Sequence, residues 1–132
     1  MRFISAEEFL KQPKEVQQVL VNWWKANESE TDLVCLFLHD RNEIRLNSAK
    51  IQKCNLSPIS EIIPLLVEGQ LRQFIEDITK DKYDILYSLK VRENVGFYKY
   101  KENETQPTYE IETHDLLQAY WKVALEVANN KM

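Results

Sequence analysis

Three features of these 132 residues predict an α+β fold, a mostly antiparallel sheet packed against a central C-terminal helix. Hydrophobic spacing switches from helical to alternating and back along the chain. Strand-like segments follow one another without the β-α-β alternation that a parallel sheet requires. The last helical segment, from Leu116 to Ala128, carries apolar side chains over an arc too wide for a surface helix, so two neighbouring layers must grip it. The length suits one domain, 1–132, able to bury a core without disulfide or metal staples.

Ser5 stands three residues before Glu8, the spacing of a capping box, and opens a short helix that Pro13 interrupts. Pro13 then serves as a first-turn residue for a second helix, with Val16, Val19, Leu20 and Trp23 on one face. "NESETD" at 27–32 is a polar connector. "LVCLFL" at 33–38 is apolar on both alternating faces, as in a strand covered on both sides, and "EIRL" at 43–46 pairs with it through "HDRN". Weak periodicity and two prolines make 47–64 a connector with at most a short helix near Ile59 to Ile63. Leu71, Phe74, Ile75 and Ile78 form the i, i+3, i+4, i+7 stripe of a helix. From Tyr83 the period becomes two: Ile85, Tyr87, Leu89 and Val91 share a face, then Tyr98 and Tyr100, then Tyr109 and Ile111. Pairing of 95–101 with 108–112 sets Lys99 and Lys101 against Glu110 and Glu112 on the wet side.

Composition narrows the function classes. With 44% apolar, 29% charged and 11% aromatic residues the chain is not a disordered tail. No stretch approaches the roughly 18 apolar residues of a membrane span, and "MRFISAEEFL" resembles neither a signal peptide nor an anchor, so a soluble, cytoplasmic protein without a membrane partner is expected. Cys35 and Cys54 are expected as free thiols. The net charge of −4 lacks the clustered Lys and Arg of a duplex-binding surface, which disfavours nucleic acid as partner.

Candidate sites are sparse. Gly69 in "LLVEGQLRQFIEDI" stands alone, without the further glycines or the Gly-Lys-Ser/Thr ending of a phosphate cradle, so its expected role is close packing or easy entry into the helix. Cys35, His39, Cys54 and His114 lack the close pairs of a structural zinc site, and no metal or cofactor is expected. His114 beside Asp115 is the one doublet suggestive of nucleophilic catalysis; its simpler reading has Thr113 capping the last helix and Asp115 in its first turn. No catalytic residue is assigned and no enzyme is expected. Tyr98, Tyr100 and Tyr109 either form a stacking platform for single-stranded nucleic acid or face the last helix. Trp23 and Trp24 point about 100° apart on a helix, so if one enters the core the other is pushed outward.

Three segments carry a resemblance: "AEEFLKQPKEVQQVLVNWW" at 6–24, "PLLVEGQLRQFIED" at 64–77 and "DLLQAYWKVALEVA" at 115–128. They resemble a family of small, uncharacterised proteins encoded in bacteriophages and prophages of Gram-positive bacteria. Val67 stands where members of that family often carry Thr, which removes a helix cap. The resemblance implies a phage-borne setting, hence the cytoplasm of an infected or lysogenic host, and transfers no reaction, ligand or site residue. In that setting the expected function is an accessory protein that binds and modulates a host protein, such as an anti-CRISPR-like inhibitor of antiviral defence. Its recognition surface is expected to be an acidic edge with an exposed tryptophan anchor: Trp24, Glu28 and Glu30. The alternative is a sponge, a homo-oligomer sequestering an anionic nucleotide signal with Arg41, Arg45, Lys50 and Lys53 from the net-positive segment.

Overall fold

A computed structural model describes residues 2–37, 42–47, 61–88, 94–100 and 106–131. Among them are four helices and six strands: α1 (Ala6–Leu10), α2 (Lys14–Asn27), β1 (Leu33–Phe37), β2 (Asn42–Leu46), β3 (Glu61–Pro64), α3 (Glu68–Thr79), β4 (Tyr83–Ser88), β5 (Asn94–Lys99), β6 (Tyr109–Ile111) and α4 (Leu116–Lys131). All strand pairings are antiparallel, and the class is α+β. The expected sheet is divided into two three-stranded sheets, ordered β2-β1-β3 and β4-β5-β6. The chain clusters into two compact units, Phe3–Leu66 and Met1–Arg2 with Val67–Met132.

The first unit sets α1 and α2 against β3. Ser5 Oγ accepts the Glu8 amide at 3.2 Å and starts α1, as its spacing predicts. The corner between the two helices is fastened by Gln17, a buried polar residue whose side-chain amide donates to the carbonyls of Gln12 at 2.7 Å and Leu10 at 3.3 Å. The central strand β1 buries Val34, Cys35 and Leu36, so both its faces are covered, as the unbroken apolar run requires. The connector expected over 47–64 ends instead in strand β3, whose Ile62 and Ile63 pair with Leu36 and Cys35. Residues 48–60 lie outside the described residues. Pro64 is tolerated because β3 is an edge strand: Leu65 N–H donates to Leu33 O at 3.0 Å, so the position before it turns its nitrogen away from β1.

In the second unit α3 lies along α4, which also meets β6. Leu71, Phe74 and Ile75 are buried and Ile78 is half-buried, the stripe read from the sequence. Helix α4 buries Leu117, Ala119, Tyr120, Trp121, Val123, Ala124, Val127 and Ala128, the wide arc that its composition predicts. Asp115, rather than Thr113, caps this helix: its Oδ1 accepts the Gln118 amide at 3.4 Å, and Thr113 Oγ1 accepts the amide of Asp115 itself at 3.1 Å. Asp115 also forms a two-pronged ion pair with Arg2, Nη1 lying 3.1 Å from Oδ1, and the guanidinium holds its carboxyl below the usual value.

Strand β5 turns Val95 and Phe97 inward, and Phe97 meets the ring of Tyr120 edge-on with centroids 5.2 Å apart. Tyr109 pairs with Phe97 across the ladder and shares that inner face. This register does not set Lys99 against Glu110. Glu110 stands opposite Gly96, on the outer face, whereas Lys99 has the parity of Phe97; Lys101 is outside the described residues. Gly96 has a steric reason: a β-carbon there would lie 2.9 Å from Cε1 of Tyr98, whose ring rests on the glycine.

Candidate functional site

The polar connector after α2 is a hydrogen-bonded turn built around one carboxylate. Asp32 Oδ2 accepts the indole N–H of Trp24 at 2.9 Å and the amide of Ser29 at 2.9 Å. Ser29 Oγ accepts the Thr31 amide at 3.3 Å and lies 3.0 Å from Thr31 Oγ1. The far end of β2 closes the assembly. Asn47, only 1% exposed, donates its side-chain amide to Ser29 O at 3.2 Å and its backbone N–H to Asp32 O at 2.8 Å.

This corrects the role of Trp24. It is 3% exposed and is not the expected surface anchor. The reason is helical phase: Val16, Leu20 and Trp24 recur every fourth residue and enter the core together, which leaves Trp23 half-buried at the boundary. Trp24 instead supports the turn from below. Above it, Glu28 and Glu30 are exposed, as an acidic edge demands.

Beside the turn lies an apolar strip that sequence reasoning missed. Ile44 and Leu46 alternate on one face of β2 and are 59% and 55% exposed. Their alternation in "EIRL" was a signal that one face is apolar; nothing local told whether another layer covers it. On the opposite face Arg45 and Glu43 form an ion pair, Nε to Oε2 2.7 Å and Nη2 to Oε2 2.6 Å. Arg45 of the expected anion site is thus committed to a carboxylate, and Arg41, Lys50 and Lys53 fall outside the described residues. An apolar strip with charged neighbours is the usual anatomy of a protein-binding patch.

The other candidates resolve differently. Gly69 is exposed at the start of α3, and a β-carbon there would meet nothing within 4 Å, so close packing does not require it. Val67 supplies no side-chain cap; Gln70 Oε1 accepts the Val67 amide at 2.9 Å instead. Tyr98 and Tyr109 lie on opposite faces of their sheet, so the three tyrosines form no common stacking platform. Tyr109 is pushed up to about 12, first by burial and then by Tyr83, whose ring centroid is 5.8 Å away. It borders an open groove of about 350 Å³ with Ile78, Thr79, Val127, Asn130 and Lys131. Cys35 is a buried free thiol with its pKa raised by burial; His39 and Cys54 are outside the described residues. Among the described residues no three His, Cys, Asp or Glu side chains gather as a metal site, and no helix is long and apolar enough to cross a membrane.

No protein-family model matches the chain, and neither a curated protein nor a solved structure matches it.

Proposed function

We propose that the chain is a phage accessory protein that binds and modulates a host protein in the bacterial cytoplasm, in the manner of a non-enzymatic inhibitor of antiviral defence. The observation that carries this reading is the adjacency of exposed Ile44 and Leu46 to the pinned turn displaying Glu28 and Glu30. Apolar contact supplies affinity at the centre of such a surface, and the glutamates select a partner with basic residues at the rim. Preorganisation contributes too, because a turn already held by Asp32 and Asn47 loses little conformational freedom on docking. The sequence resemblance supports the phage setting.

The test is affinity capture from an infected Gram-positive host, read by native mass spectrometry, with wild type beside an Ile44→Asp/Leu46→Asp variant. A host protein bound stoichiometrically by wild type and lost from the variant is expected. The reading fails if both chains hold the same proteins, or if wild type carries only a small added mass, which would indicate the nucleotide sponge.

A further inference from the structure

We propose that β2 pairs edge-on with β2 of a second copy of this chain, antiparallel about a two-fold axis at Ile44, joining two three-stranded sheets into one. This does not rest on the host-protein reading; it follows from the hydrogen-bonding phase of the strand. Among the described residues β2 has one neighbour, β1, and so forms an edge of its sheet. Asn47 N–H donates to Asp32 O, and the register sets Arg45 against Val34 and Glu43 against Leu36. In an antiparallel ladder the residues that exchange hydrogen bonds with one neighbour alternate with those that face away. Asn47, Arg45 and Glu43 therefore turn their amides and carbonyls toward β1, whereas Leu46, Ile44 and Asn42 turn theirs to the open edge.

A second copy satisfies those groups in one register better than in the others. Centred on Ile44, the two Ile44 residues exchange a pair of hydrogen bonds, and Asn42 and Leu46 of each copy exchange theirs with Leu46 and Asn42 of the other, about six bonds in all. Glu43 of each copy then stands opposite Arg45 of the other in the closely spaced, non-hydrogen-bonded positions, where opposite charges attract. Sliding the axis one residue either way sets Glu43 against Glu43 or Arg45 against Arg45 and turns attraction into repulsion. The strand carries neither the proline nor the lysine that commonly blunts a sheet edge. Such an isologous contact leaves the sheet face open, so it doubles the strip of Ile44 and Leu46 instead of consuming it.

Sedimentation equilibrium on the purified full chain tests this with three variants, each checked for wild-type far-UV circular dichroism. Arg45→Glu places carboxylates opposite one another twice and is expected to weaken the dimer at least about tenfold. Glu43→Arg/Arg45→Glu restores opposite charges and is expected to return the dimer Kd to within about threefold of wild type. Ile44→Pro removes an amide that faces away from β1, spares the β1–β2 ladder and is expected to give a monomer. A wild-type chain that stays monomeric at about 100 µM overturns the proposal, as does a dimer whose Kd is unchanged by Arg45→Glu and Ile44→Pro.

Discussion

Replacing Asp32 by Ala removes the carboxylate on which the acidic turn hangs, and the cost follows from the two donors it abandons. The Trp24 indole N–H, in a side chain 3% exposed, has Asp32 as its partner at 2.9 Å. An orphaned buried donor costs about 1–3 kcal/mol. The Ser29 amide, in an exposed position, finds water in place of Asp32 and adds little. The expected loss is about 2 kcal/mol, which lowers the urea midpoint by about 1 M for an m-value near 2 kcal/mol/M. Urea unfolding followed by far-UV circular dichroism measures it. Trp24→Phe is destabilising alone, but in the double variant the orphaned donor no longer exists, so the two losses add to less than their sum by about 1 kcal/mol. Hydrogen exchange at Ser29 and Thr31 is expected to accelerate in Asp32→Ala, since the turn loses its acceptor. A midpoint shift under about 0.2 M, or strict additivity with Trp24→Phe, refutes the support role assigned to Trp24.

Gly69→Ala is expected to stabilise the chain by about 0.5–1 kcal/mol, because the added methyl meets no atom within 4 Å and alanine favours the helix; a lowered Tm in differential scanning calorimetry would contradict that. Asp115→Ala is expected to cost about 1 kcal/mol at neutral pH through the lost α4 cap. The folded carboxyl of Asp115 titrates below its unfolded value, so its charge stabilises above that unfolded value and the contribution fades as pH falls through the depressed one. Urea midpoints of wild type and variant should therefore converge in acid. Tyr109 has the opposite sign: its phenol titrates at about 12 when folded, so stability is full below the ordinary tyrosine value near 10 and falls as pH rises from there toward 12. Spectrophotometric titration of Tyr109→Phe should lose a tyrosine that ionises well above the ordinary value, and an unchanged alkaline limb would exclude the assignment.

Helical periodicity was legible because it is local. The stripe at Leu71, Phe74 and Ile75, the broad arc of α4 and the doubly apolar β1 each follow from spacing alone, and together they specify the α+β class. Exposure of Glu28 and Glu30 was legible too, since carboxylates in a polar connector stay in water. The site around them was not. Period shows that one face is apolar, but its phase at a pair such as Trp23-Trp24 depends on where the neighbouring layer lies. Here the fourth-residue series of Val16, Leu20 and Trp24 enters the core.

Strand β3 was missed for a related reason: "EIIP" is too short to show a period, and its extended form comes from Cys35 and Leu36 across the ladder. The face of Lys99 depended on the register that sets Tyr109 opposite Phe97. The sequence by itself determined the four helices, five of the six described strands and the class, because those depend on neighbours within a few residues. Only the tertiary structure decided that Trp24 supports the acidic turn, that Asn47 closes it from 18 residues beyond Ser29, and that Ile44 and Leu46 remain in water. Those outcomes are pairings between distant segments, and a side chain's own spacing does not encode which surface will arrive to cover it.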